Sequence, residues 1–176
     1  MRRMPAPCPH DTPRVTFRCW NEDDEALATT LWGDPRVTAL IDSRGPLDAT
    51  AVRERLEKDL RNQRENGMQF WPFFLRSTGE LAGCCGLRPR DPVLRILELG
   101  YALRPEFWGK GLATEAARAV VEHAFGTLGA TALFAGHHPD NSASRRTLEK
   151  LGFRYTHDEP FAPTRNVHPC YRLDRP

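Results

Sequence analysis

With 176 residues, the chain is long enough to bury one hydrophobic core without metals or disulfides, and too short to leave room for a second catalytic domain. A formal charge of +2, with 40% hydrophobic and 27% charged residues, describes an ordinary globular domain, too weakly basic to call for nucleic acid or an anionic membrane as partner. No apolar run approaches the roughly 18 residues of a membrane span, and the arginines at the start precede no apolar signal-peptide segment, so a cytoplasmic location is expected.

Residues 1–13, rich in proline, are expected to be a flexible tail ahead of a single domain spanning 14–176. "RVTFRCW" (14–20) alternates as a half-buried strand, and "NEDDEALATTLW" (21–32) predicts a helix with Asn21 as N-cap and acids in its first turn. In residues 45–67, Val52, Leu56 and Leu60 fall four apart among charges, the pattern of an amphipathic helix stopped by Asn66-Gly67. Residues 68–90 predict a hairpin about Ser77-Thr78-Gly79, and "RILELGYALRP" (95–105) a third strand. Its Gly100 implies a bulge or a close approach by another backbone.

From Gly111 to Leu128, apolar residues at 112, 116, 120 and 124 predict a helix. A short strand (131–137), a helix (141–152) and two terminal strands complete the order β-α-α-β-β-β-α-β-α-β-β, a mixed α+β domain. The five cysteines match no disulfide framework or zinc-ligand spacing, and no metal site is expected. Cys84 and Cys85, adjacent in a strand, should point to opposite faces as small buried hydrophobes.

"RPEFWGKGLATEA" (104–116) sets Gly-Lys-Gly immediately before a good helix. A P-loop would need Gly at 104 and Ser or Thr at 111, where Arg and Gly stand; a dinucleotide fingerprint counted from Gly109 would need Gly at 114, where Thr stands. What remains is a glycine turn presenting backbone N–H groups at a helix N-terminus, suited to an anion such as a diphosphate.

This segment, preceded by "LELGYAL" and followed by "DNSASRRTLEKLGF", resembles the GNAT N-acetyltransferase superfamily, and within it the RimJ/RimL-type branch of ribosomal-protein N-terminal acetyltransferases. Gly111 and Ala113 match the superfamily's cofactor signature, with Trp108 in the slot where Arg or Gln is usual; Asn141, Glu149, Lys150, Gly152 and Phe153 match the second motif. The resemblance implies a mostly antiparallel twisted sheet opening as a V between two parallel strands, flanked by about four helices. It implies acetyl-CoA as co-substrate, with its pantetheine arm paired to backbone near Tyr101 and Leu103, its diphosphate on the N–H groups of Trp108, Gly109, Lys110, Gly111, Leu112 and Ala113, and Asn141 and Ser144 beside the sulfur. A homodimer is plausible on the same ground.

Acetyl transfer needs a neutral amine, a polarised thioester carbonyl and stabilisation of the leaving thiolate. Glu98, in the middle of the cofactor strand, is the candidate base, the plain alternative being a surface pairing with an arginine such as Arg95. Leu148 stands where many members of the superfamily carry an acidic Tyr, which leaves Ser144 as the candidate proton donor. Arg145 and Arg146 are candidate phosphate contacts, and His137, His138, Trp32, Trp71 and Phe73 candidate pocket residues, with exposed loop or core packing as the plainer alternative for each. The expected activity is acetyl transfer to a primary amine, on a peptide or a small molecule, by direct attack in a ternary complex. The alternative is a non-catalytic acyl-CoA-binding module of the same fold.

Overall fold

A computed structural model describes residues 8–176. Among them, seven strands form one sheet in the order β1-β2-β3-β4-β5-β7-β6: β1 (Val15–Phe17), β2 (Phe70–Leu75), β3 (Leu81–Asp91), β4 (Ile96–Leu103), β5 (Ala132–Gly136), β6 (Arg154–Phe161) and β7 (Asn166–Asp174). Every pairing is antiparallel except β4 with β5. Those two strands hold register over only three rungs, Ile96 with Ala132, Leu97 with Leu133 and Glu98 with Phe134, after which both continue unpaired with each other. The sheet therefore opens just beyond Glu98.

The helices are α1 (Glu25–Trp32), α2 (Pro35–Thr38), α3 (Ala49–Asn66), α4 (Leu112–Gly126) and α5 (Ser142–Lys150). Their ends follow the chemistry of the chain. Asn21 and Asp24 form a capping box on a short 3₁₀ turn ahead of α1, Asp48 caps α3 by accepting from Ala51 N–H, and Gly67 closes α3 at φ 70°. The four-residue α2, opened by Pro35 behind an Asp34 cap, is an addition to the predicted order, too short to carry a periodic pattern.

The sheet is packed on both faces. On one, Leu97, Leu99 and Leu103 of β4 meet Ala116, Ala117, Val120 and Ala124 of α4 and Leu148 of α5. On the other, Leu81, Cys84 and Ala102 meet Trp32 of α1 and Val52 and Leu56 of α3. Cys85 joins the first cluster and Cys84 the second, as strand alternation requires. Trp32, Trp71 and Phe73 are core residues. A Cβ at Gly100 would lie 2.6 Å from the Phe70 ring, so the glycine lets that ring pack close against β4.

Of the expected tail, residues 1–7 lie outside the described residues, and the rest is held down. Thr12 is only 8% exposed, and its hydroxyl donates to the Glu115 carboxylate of α4 at 2.6 Å. Cys8 and Cys19, eleven residues apart, bring their Sγ atoms to 3.2 Å as free thiols, a neighbourhood that spacing did not disclose.

Candidate active site

β4 delivers its chain through Arg104 and a 3₁₀ turn (Pro105–Phe107) into Gly109-Lys110-Gly111 and then α4. Gly109 and Gly111 take φ of 72° and 76°, the left-handed region that costs an L-residue roughly 1–2 kcal/mol. With glycine at the N-cap, α4 starts with no side-chain cap, which leaves its first N–H groups available to a ligand. Those groups open onto a cavity of about 640 Å³ lined by Tyr101, Leu103, Gly109, Gly111, Leu112 and Ala113, with Arg146 and Lys150 of α5 and Arg36 beyond α1. An uncapped helix N-terminus edged by cations suits a diphosphate.

One expected donor in this stretch is already engaged. Trp108 N–H donates to Pro105 O at 3.1 Å, and the Trp108 indole N–H donates to Leu103 O at 2.9 Å, leaving the ring 51% exposed at the cavity rim. Lys110 is exposed, its ammonium over the Phe107 ring and its carbonyl accepting from Arg14 at 2.8 Å. Arg14 also reaches Glu115 at 2.6 Å and so ties β1 to the first turn of α4, a brace with no local sequence signal. Although burial raises the Glu115 carboxyl, hydrogen bonds from Thr12 and Arg14 outweigh it and hold the group below its usual range.

Along β4, Arg104 N–H donates to Ala82 O toward β3. Backbone groups alternate between strand edges, so those of Tyr101 and Leu103 face the open edge toward β5. Beyond the rungs to β5 this edge has no strand partner and runs alongside the cavity, with the Leu103 carbonyl accepting from the Trp108 indole.

α5 begins at the far lip of the opening. Asn141 caps it by accepting from Ser144 N–H at 3.0 Å, which leaves the Asn141 amide N–H₂ as donor and turns Ser144 inward. The Ser144 hydroxyl lies 2.8 Å from the Tyr101 hydroxyl, which also lies 3.2 Å from the Ser144 carbonyl. Burial raises the Tyr101 phenol above its ordinary value, so it stays protonated. The sequence pointed to the Tyr101 backbone but not to its side chain. Arg145 turns away to Glu149, and only Arg146 of that pair reaches the cavity.

A second cavity, about 410 Å³, meets the first at Tyr101, Asn141 and Ser144. Glu98 lines it, at the last rung before the sheet opens. Its carboxylate is hydrogen-bonded to Arg88, directly opposite on β3, with Arg90 4.0 Å away; Arg95, the expected partner, instead lies against Gly129 and Leu128. His137 and His138 line the cavity but are bonded within the protein, His137 to Tyr171 and to the His138 carbonyl, His138 to Asn166 and Asp140 N–H. Cys84 and Cys170 also line it, and burial pushes their thiols up to about 12 and about 11. His157, Glu159 and Cys170 bring ligand atoms within 4.8 Å of one another, but Glu159 is held by Arg90 at 2.8 Å, which opposes a cation there.

Two parallel strands that part beside a glycine-framed helix N-terminus define a class of fold that admits an extended acyl carrier between its strands. Residues 14–154 match the Acetyltransferase (GNAT) domain, and the chain belongs to that family. The protein YkkB of Bacillus subtilis is 33% identical over 147 residues, covering 82% of this chain and 84% of YkkB. An acetyltransferase structure from Agrobacterium tumefaciens superposes with a TM-score of 0.77 at 28% identity, over 93% of this chain and 92% of that one. The RimL ribosomal L7/L12 α-N-protein acetyltransferase, solved in complex with coenzyme A, has the same fold, with a TM-score of 0.79 at 17% identity over 93% and 95% of the two chains. The protein is thus an N-acetyltransferase of a family that uses acetyl-CoA. Among the described residues no helix is long and apolar enough to cross a membrane.

Proposed function

We propose that the enzyme transfers the acetyl group of acetyl-CoA to a primary amine by direct attack, with both substrates bound at once. The observation carrying this reading is the meeting of the two cavities at Ser144 and Tyr101. The larger suits the cofactor: diphosphate on the N–H groups from Gly109 to Ala113, pantetheine along the open edge at Tyr101 and Leu103, thioester near Asn141 and Ser144. The Trp108 side chain would close the rim, its N–H taking no part. The smaller suits the acceptor, with Glu98 positioned to take a proton from the incoming ammonium.

As the C–N bond forms and the C–S bond breaks, the negative charge arrives on sulfur. A serine hydroxyl and a phenol are both weaker acids than a thiol, so Ser144, backed by Tyr101, serves as a hydrogen-bond donor to the departing thiolate and the thiol's proton comes finally from solvent. Thiol release from acetyl-CoA, followed with a panel of peptide and small-molecule amines, tests the reading. Amine-dependent release is expected; tight acetyl-CoA binding with no amine-dependent release across the panel would contradict it.

A further inference from the structure

The acceptor cavity holds more positive charge than its own carboxylates neutralise. Asp42 is paired with Arg44, Glu98 with Arg88 and Glu159 with Arg90. Arg55 and Lys58, on consecutive turns of α3 and both lining this cavity, make no ion pair among the described residues. Arg55 is also pre-placed. Its guanidinium lies 4.4 Å from the Trp32 ring centroid and 5.6 Å from that of Phe70, and its Nε is buried without a hydrogen-bond partner. Asp59, one turn along α3, acts on it electrostatically, yet the two share no hydrogen bond, since Asp59 accepts from Phe70 N–H and its other oxygen has no partner.

A stacked, half-desolvated guanidinium with unused donors is a strong site for a carboxylate, which it can bind through two parallel hydrogen bonds. Packing also links it to the strand that carries Glu98. Arg55 stacks on Phe70, Phe70 lies on Gly100, and Gly100 follows Glu98 on the same face of β4. About one aromatic ring therefore separates the cationic end of the cavity from the strand that carries Glu98.

We infer that the acceptor is a small primary amine that also carries a carboxylate, an amino-acid-like molecule whose ammonium is received at Glu98 and whose carboxylate is bound by Arg55, with Lys58 beside it. The inference rests on the acetyl-transfer reading above. A cavity of about 410 Å³ fits a molecule of that size, and its surplus cations disfavour polyamines and other polycations.

Matched amines test it, with thiol release measured at saturating acetyl-CoA: phenylalanine against phenethylamine, ornithine against putrescine, each amino acid against its methyl ester, and a short peptide with a free N-terminus. The carboxylated member of each pair is expected to have the higher kcat/KM by at least tenfold. Arg55→Met should collapse that ratio toward one, mainly by raising KM, and Arg55→Lys should restore part of it. Where Arg55→Met does not fold, Lys58→Gln should lower the ratio at least threefold.

Equal or better turnover of the decarboxylated amines, the esters or the peptide would overturn the inference and leave acetyl transfer standing. So would an equal loss for both members of a pair in Arg55→Met, which would make Arg55 a packing residue. Acetyl-CoA binding with no turnover of any amine would overturn acetyl transfer itself, and this inference with it.

Discussion

Ser144 and Tyr101 lie 43 residues apart in sequence and 2.8 Å apart at their hydroxyls, at the point where the two cavities join. A hydrogen bond to a developing charge contributes roughly 1.5–3 kcal/mol, so Ser144→Ala should lower kcat by about 10- to 100-fold with little change in acetyl-CoA affinity. Tyr101→Phe, which removes only the partner behind the serine, should cost less; steady-state rates with calorimetric Kd values check both. Loss of cofactor affinity in place of kcat would reduce Ser144 to a contact. Ser144 was legible through its place three residues after Asn141 in a family-like motif. The Tyr101 phenol was not, because meeting α5 depends on how far β4 and β5 diverge, which no local pattern encodes. Arg88 was missed as the partner of Glu98 for a similar reason: it follows from the β3–β4 register, whereas sequence proximity suggested Arg95.

Among the elements, α4 carries an unusual polar arrangement at its N-terminus and α3 one in its middle. α4 gives up a side-chain cap to keep its N-terminus open, and its periodicity and glycines made both helix and turn readable from sequence. Gly111→Asp would set a Cβ at φ 76° and a carboxylate among the N–H groups proposed to hold phosphate. Acetyl-CoA affinity is expected to fall by 100-fold or more, with only about 1–2 kcal/mol lost in stability; unchanged affinity in calorimetry would remove the loop from the cofactor site. α3 buries Asp59, whose carboxyl is raised from 3.8 to about 6 by that burial, against the pull of Arg55. Between those values the folded protein holds a proton that the unfolded chain has lost, so this group's contribution to stability falls as pH rises through the window and stays low above it. Asp59→Asn keeps an acceptor for Phe70 N–H without the charge. Its stability advantage over the parent, measured by denaturant unfolding, should grow from about pH 4 to about pH 6 and then level off, at most roughly 2–3 kcal/mol; a difference that does not change with pH would contradict the assignment. The C-terminal end of α3 was legible from Asn66-Gly67, but the burial of Asp59 was not, since a carboxylate among charges reads as an exposed face.

At the scale of the molecule, the sheet opens where two cavities of unequal size meet. The strand and helix order was recoverable from hydrophobic period and turn residues, and the V-shaped opening from the family resemblance; composition alone gave neither. The proposed acceptor cavity was the least legible part, because it is assembled from α3, the segment after α2, β3, β4, β5, α5 and the β6–β7 end, which only the tertiary fold brings together. The proposed direct transfer needs no protein nucleophile, and burial keeps the cavity's thiols, Cys84 and Cys170, protonated. The most direct test is the initial-velocity pattern with acetyl-CoA and an accepted amine both varied: lines that intersect in double-reciprocal form are the predicted result, and parallel lines with an isolable acetylated enzyme would contradict the account.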